Sequence, residues 1–288
     1  MIPSIVPEKA SIETTTACNH SCSYCPISMF PQKQHVMPLD FFDQIMSELK
    51  GLGTSMKRIS FTHYNEPLLD PYFVERVGIA TGYTFFNKII IFSNLSVMAP
   101  SLPDDLQSAK ERLIFSINLP TTDEKRYEEI HGIKHYRKVE QNIRRLIEAG
   151  FEIKINVQSN AFTNSEDETS VVTQFQNIIP VDSIKSDNRA GLIDEIKPPP
   201  AQEGILIGCL VKRPTNYVHI GVDGEVFLCN QDFFKKYKFG SLRDQHLSEI
   251  LSSDQAKEYL GFLHGEKEPP DDFICKSCEF AIFKKKER

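Results

Sequence analysis

Two periods of apolar residues alternate along the first two thirds of the chain. Residues 10–17 ("ASIETTTA"), 58–64, 87–93 ("NKIIIFS"), 112–118, 151–158 and 181–186 read as strands, either alternating or β-branched throughout. Between them run helical patterns. "LDFFDQIMSELKGLG" (39–53) ends on glycines, and residues 71–82 open on a proline at the first position. "LPDDLQSAK" predicts a short helix. In residues 138–150, Val139, Ile143, Leu146 and Ile147 share one face and Gly150 closes the helix. Residues 165–179 carry acidic groups in the first turn, where a helix dipole favours them. Six β–α repeats predict an α/β fold, a partial (β/α)6 TIM-like barrel over residues 1–196. In such a fold the chemistry lies at the C-terminal ends of the strands.

The pattern breaks at "KPPPAQEG" (197–204), because three successive prolines cannot lie inside an element. Residues 205–288 then predict a small separate domain. It holds a β-hairpin turning at Asp223-Gly224, a mostly helical stretch and a closing Cys-x-x-Cys.

Composition narrows the function classes. The 288 residues are 40% hydrophobic and 25% charged, with a formal net charge of -6, which does not suit a nucleic-acid surface. There is no signal peptide pattern and no apolar run long enough for a membrane helix. A cytoplasmic protein is expected, and there seven cysteines serve as metal ligands or catalytic groups rather than disulfides.

The cysteines divide three and four. Cys18, Cys22 and Cys25 lie within eight positions, and the next cysteine is Cys209. Three thiolates suit a [4Fe–4S] cluster with one iron left open. A zinc site completed by His20 or His35, or three ordinary buried cysteines, are the plainer readings. For Cys209, Cys229, Cys275 and Cys278 the plainer reading is a four-cysteine structural zinc.

The loop "CNHSCSYC", with Tyr24 just before its last cysteine, resembles the signature of the radical S-adenosylmethionine (SAM) superfamily, and the β–α order to about residue 190 agrees. The resemblance implies that Cys18, Cys22 and Cys25 hold the cluster and that SAM fills the open iron. It implies further that Glu66, in "HYNEPLLDP", accepts the SAM amino group, although Asn65 replaces the usual glycine. Ser93 and Asn94, with Ser116 and Asn118, end the third and fourth strands, and the resemblance matches them to positions that often contact SAM's carboxylate or ribose. The C-terminal part, from "GCLVKRPTNYVHIGVDGEVFLCNQDF" to "CKSC", resembles the Twitch domain, a shortened SPASM domain. That implies an auxiliary [4Fe–4S] cluster on the four later cysteines. Within this group the chain resembles the deoxy-scyllo-inosamine dehydrogenases of aminoglycoside biosynthesis; "DNRAG" (187–191) is similar to their Asn-Arg-Gly-Gly segment, which implies Arg189 as the candidate substrate-facing residue.

With every cysteine assigned, none remains to return a hydrogen atom, which disfavours epimerisation unless a tyrosine substitutes. The expected reaction is a two-electron oxidation of a small hydroxylated metabolite such as an aminocyclitol or sugar, started by an electron from a flavodoxin or ferredoxin. The alternatives are a peptide maturase forming thioether or carbon–carbon crosslinks, and a sugar dehydratase or epimerase. Only nine residues precede the first expected strand, too few for the leader-binding wing of many maturases.

Overall fold

The computed structural model describes residues 4–159, 162–185, 187–193, 195 and 204–285. Most of the proline-rich 197–204 segment lies outside them.

Strand β1 (Lys9–Ile12) leads through the cysteine loop to helix α1 (Leu39–Gly51). There follow β2 (Met56–Ser60), α2 (Phe73–Thr81), β3 (Phe86–Ser93), a short α3 (Leu102–Asp105), β4 (Leu113–Asn118), α4 (Glu124–His131), α5 (Tyr136–Glu148), β5 (Glu152–Ser159), α6 (Ser165–Phe175) and β6 (Val181–Lys185). The second part has β7 (Ile205–Cys209), α7 (Arg213–Asn216), β8 (Tyr217–Ile220), β9 (Glu225–Phe227), β10 (Lys238–Ser241), α8 (Leu247–Leu251), α9 (Asp254–Leu263) and β11 (Ala281–Lys284). The six predicted strands form in order and pair in parallel, β1 through β6.

Two features depart from the sequence reading. First, β1 stops at Ile12 rather than at residue 17. Glu13 keeps a backbone bond to the Ile220 carbonyl of the later strand β8 while its carboxylate meets a buried lysine, Lys235, and from there Thr16 pairs instead with His35. Second, α4 is an added helix. Its apolar pattern is sparse, because only Tyr127, Ile130 and His131 are buried. The hairpin forms where expected, and its first strand joins the barrel sheet. β8 pairs in parallel with β1, Lys9 against Tyr217 and Ile12 against Ile220, giving one nine-stranded sheet in the order β10-β9-β8-β1-β2-β3-β4-β5-β6. At the hairpin turn Gly224 is left-handed (φ +94°), and a Cβ there would meet the Phe41 ring of α1 at 2.6 Å. The turn is thereby seated against a barrel helix.

The sheet separates two environments. Ile59, Ile89, Ile91 and Phe115 are fully buried against the helices, as are Val139, Ile143 and Leu146 of α5 facing them. The opposite face carries Lys9, Arg58, Ser60, Ser116, Lys154 and Asn156, which line the barrel interior. The apolar face stabilises the fold by about 25 cal/mol per Å² removed from water, while the polar face is left to bind something polar. One charge is deeply buried on the helix side. Arg76 of α2 donates its Nε to Asp70 Oδ2 at 2.7 Å, both side chains being fully inaccessible, and also donates to the Met37 carbonyl.

Candidate functional site

The loop after β1 rests on α4. Ser21 N and Ser23 N donate to the carbonyls of His131 and Ile130, at 3.2 and 2.9 Å. Those carbonyls lie at a helix C-terminus, where they lack partners within the helix. Gly132, left-handed at φ +71°, ends α4, and a Cβ there would strike the Ser21 side chain. Cys18, Cys22 and Cys25 are thereby held at the C-terminal end of the sheet, and all three face one cavity of about 640 Å³. Cys25 also caps a short 3-10 turn at Pro26–Ser28. Burial pushes the Cys18 thiol up to about 12, and the Cys22 and Cys25 thiols rise for the same first reason; for Cys22 the neighbouring cysteines add to it. A bound cationic centre would make such thiols ionise and ligate.

Tyr24 also lines the cavity, but its hydroxyl is 2.7 Å from Nε2 of buried His131. It buttresses the loop from α4. His20, Cys22 and His131 bring potential ligand atoms within 4.8 Å of one another. Nε2 of His20 is near Ser96 Oγ at 3.2 Å. His35, the other candidate zinc ligand, lies 3.6 Å from Asp223 of the hairpin.

Glu66 is almost wholly buried beside the cysteines. Its Oε1 accepts from Leu68 N at 3.0 Å and Ser93 Oγ at 2.7 Å, and its Oε2 from Asn94 N at 2.6 Å. It therefore caps a short turn and faces the cavity at once. Burial lifts its carboxyl to about 7 against the pull of these hydrogen bonds, and no cation is among its causes. A buried carboxylate without a cation is costly, so the position fits an incoming ammonium. Asn65 closes the strand-end turn, accepting from His63 N at 2.9 Å and donating to the Phe61 carbonyl at 3.2 Å. Asn94 donates to Asn19 of the cysteine loop at 3.0 Å, tying β3 to it. Ser116 accepts from Asn156 at 2.7 Å, and Asn118 lines the same wall.

Arg189 also lines the cavity. Its guanidinium lies 5.6 Å from the Tyr64 ring centroid and 3.7 Å from Asp187 Oδ2, and its Nε has no hydrogen-bond partner. Arg189 and Ala190 are both left-handed (φ 52°), a strained backbone for residues with a Cβ. The segment is fixed by Asn188, which donates to the Ser277 carbonyl at 3.1 Å.

The four later cysteines converge on a second, small cavity. Antiparallel pairing of β7 with β11 sets Cys209 opposite Ala281, next to the Cys275–Cys278 turn, and Cys229 follows the hairpin. Burial raises the Cys229 thiol to about 12 and Cys278 to about 11, and lifts Cys275 further. The donor set suits a closed, thiolate-held centre.

Sequence reading passed over several residues here. His63 and His219 are buried and line the large cavity, and neither His219 nitrogen has a hydrogen-bond partner. His63 Nδ1 is 3.4 Å from Glu13 Oε1. Burial raises the Glu13 carboxyl, but His63 and Lys235 outweigh it and hold it at about 2. Arg213 and Asp187 also escaped notice. Each is ordinary in sequence, and its meaning comes only from what the fold brings beside it.

A polar parallel barrel with three thiols and a lone carboxylate at one end of its strands is the working part of an enzyme that opens SAM at an iron–sulfur cluster. The chain belongs to the radical SAM superfamily, whose pattern matches residues 12–162. Residues 209–279 match the SPASM iron–sulfur cluster-binding domain. Membership brings SAM and a [4Fe–4S] cluster, and the SPASM match brings auxiliary cluster binding. The chain is 25% identical over 268 residues to the S-adenosyl-L-methionine-dependent 2-deoxy-scyllo-inosamine dehydrogenase of Niallia circulans, covering 93% of this chain and 90% of that one. It is similar in fold to the crystal structure of BtrN in complex with AdoMet and 2-DOIA (TM-score 0.64, 22% identity, 97% and 94% of the two chains). It is also similar in fold to Streptococcus suis SuiB bound to precursor peptide SuiA (TM-score 0.72, 15% identity, 97% and 71%). Among the described residues no helix is long and apolar enough to cross a membrane.

Proposed function

We propose that this protein is a radical SAM dehydrogenase that oxidises a hydroxyl-bearing carbon of a small polar metabolite, a cyclitol, aminocyclitol or sugar. In this reading Cys18, Cys22 and Cys25 hold a [4Fe–4S] cluster open to SAM, and Cys209, Cys229, Cys275 and Cys278 hold a closed auxiliary one. The observation that carries it is the division of all seven cysteines between two adjoining cavities. When bound, these groups supply a 5′-deoxyadenosyl radical on one side of the substrate and an electron acceptor on the other.

The chain's own residues do the rest. Glu66 takes the SAM ammonium, and Asn94, Ser93, Ser116 and Asn118 orient the rest of that cofactor. The polar barrel wall binds the substrate's hydroxyls in a cavity of small-ligand size. Arg189, whose Nε lacks a partner, holds the oxygen at the reacting carbon. His63 is buttressed by Glu13 and can take the hydroxyl proton. Conversion of an alcohol to a ketone then balances as one hydrogen atom, one proton and one electron lost. The seven cysteines are free thiols, consistent with a cytoplasmic setting in which flavodoxin or ferredoxin gives the starting electron. A radical epimerase is the second reading. It is favoured by Tyr64, whose buried hydroxyl has no hydrogen-bond partner and could return a hydrogen atom.

The test is anaerobic reconstitution, followed by incubation with SAM, reductant and a panel of cyclitols, aminocyclitols and sugars. Iron should reach about eight per chain, as two [4Fe–4S] clusters require, and the product should be two mass units lighter than its substrate, as loss of two hydrogens dictates. A product of unchanged mass favours the epimerase, and about four irons sinks the two-cluster scheme.

The raised Glu66 carboxyl predicts a pH dependence. The group is protonated below about 7 in the free protein, and only the carboxylate can pair with an ammonium. SAM binding must then expel a proton, so affinity should fall about tenfold per unit as pH drops below that value and level off above it. Calorimetry on the reconstituted protein from acid to alkaline pH would show the slope, and Glu66→Gln should remove it. A flat profile in the unaltered protein would mean that Glu66 does not meet the ammonium.

A further inference from the structure

Arg213 is shared by the two cavities, lining both the barrel interior and the space between the four cysteines. It opens α7 directly before Pro214, which fixes the backbone there. Its guanidinium lies 4.5 Å from the Phe280 ring centroid, and its Nη2 is 3.2 Å from Asp187 Oδ2. Its Nη1 is buried without a hydrogen-bond partner. The same Asp187 carboxylate accepts from Gln231 and lies 3.7 Å from Arg189 in the substrate cavity. One carboxylate thus stands between a cation facing the substrate and a cation facing the auxiliary site.

Resting on the two-cluster reading, we propose that Arg213 sets the reduction potential of the auxiliary cluster and makes it an electron acceptor. Reduction adds one negative charge to a centre already held by four thiolates. A fixed cation in a surround of low dielectric favours the reduced form more than the oxidised one, which raises the potential. Asp187 acts in the opposite sense and tempers Arg213. Arg189 lies on the other side of the same carboxylate, in the substrate cavity. Arginine suits this role because its charge persists when buried.

The experiment is a redox titration of the reconstituted enzyme, followed by electron paramagnetic resonance, with the SAM-site cluster as internal reference. Arg213→Met should make reduction of the auxiliary cluster at least about tenfold less favourable, about 59 mV lower for a one-electron couple. Arg213→Lys should retain most of the unaltered value, and Asp187→Asn should move the midpoint upward. Opposite signs for the two charge removals cannot come from general loosening. An unmoved midpoint in Arg213→Met overturns the proposal, as do shifts of the same sign in both variants. If Arg213→Met fails to assemble the cluster, Asp187→Asn still decides: an upward shift supports the proposal, and an unmoved or lower midpoint overturns it. Fewer than about eight irons in the unaltered protein would sink the two-cluster reading itself, a failure distinct from a bound cluster whose midpoint does not move.

Discussion

Cys22→Ala is expected to abolish SAM cleavage, whereas Cys275→Ala is expected to leave SAM cleavage and abolish ketone formation. Each variant should retain about four irons, the content of one [4Fe–4S] cluster. The two thiols lie in separate cavities, and burial raises both well above the ordinary thiol range. Removing one ligand therefore unseats one centre and leaves the other's thiols in place. The cysteine loop itself should persist in Cys22→Ala, because its backbone is held by the carbonyls of α4. Iron content, 5′-deoxyadenosine formation and substrate oxidation, measured on the same preparations, check both halves. SAM cleavage surviving in Cys22→Ala would remove the assignment of the first site. Loss of SAM cleavage in Cys275→Ala would show that the two sites do not work as separate centres.

Asp70→Ala should be the most destabilising of the changes considered, at about 3–5 kcal/mol, because it leaves the Arg76 charge buried and uncompensated. Against a typical total of about 5–15 kcal/mol, that is enough to lower the melting temperature by about 10 °C or more. Asp70 also accepts from Tyr72 N at 3.0 Å and ends the turn that Glu66 begins, so SAM affinity should fall with it. The double variant Asp70→Ala/Arg76→Met removes the stranded charge and should regain much of the stability, since apolar replacement of a buried pair is often tolerated. Thermal unfolding of the single and double variants gives the comparison. A double variant no more stable than Asp70→Ala would rule out the stranded charge as the cause.

The sequence disclosed the repeating β–α order because each strand and helix carries its own period. It disclosed the seven cysteines because their spacing is unusual in itself. Helix α4 stayed hidden because "EKRYEEIH" buries only three side chains, too few to mark a face. The early end of β1 was hidden too. The β-branched run 14–16 looks like strand, but Glu13 is the last residue bonded to the sheet, and Thr14 to Thr16 pair with the distant segment 35–37 instead. Glu66, Ser93, Asn94 and Arg189 were named through resemblance, and the structure brings all four to one cavity. Tyr24 and Asn65 line that cavity as well, but their polar atoms are turned to His131 and to the local backbone. His63, Asp187 and Arg213 gave no signal, because their neighbours come from distant segments and local patterns do not encode which segments meet.

The parallel pairing of Lys9 with Tyr217 has a consequence for how the enzyme is made. The partners are 208 positions apart, and a ribosome adding about 5–20 residues per second takes roughly 10–40 s to travel between them. During that interval the strand that leads into the first cysteine loop has one bare edge, the kind of edge that recruits foreign strands. The chain's earliest strand is among the last to be completed. A nascent chain halted after residue 196 would present an open sheet edge close to three cysteines.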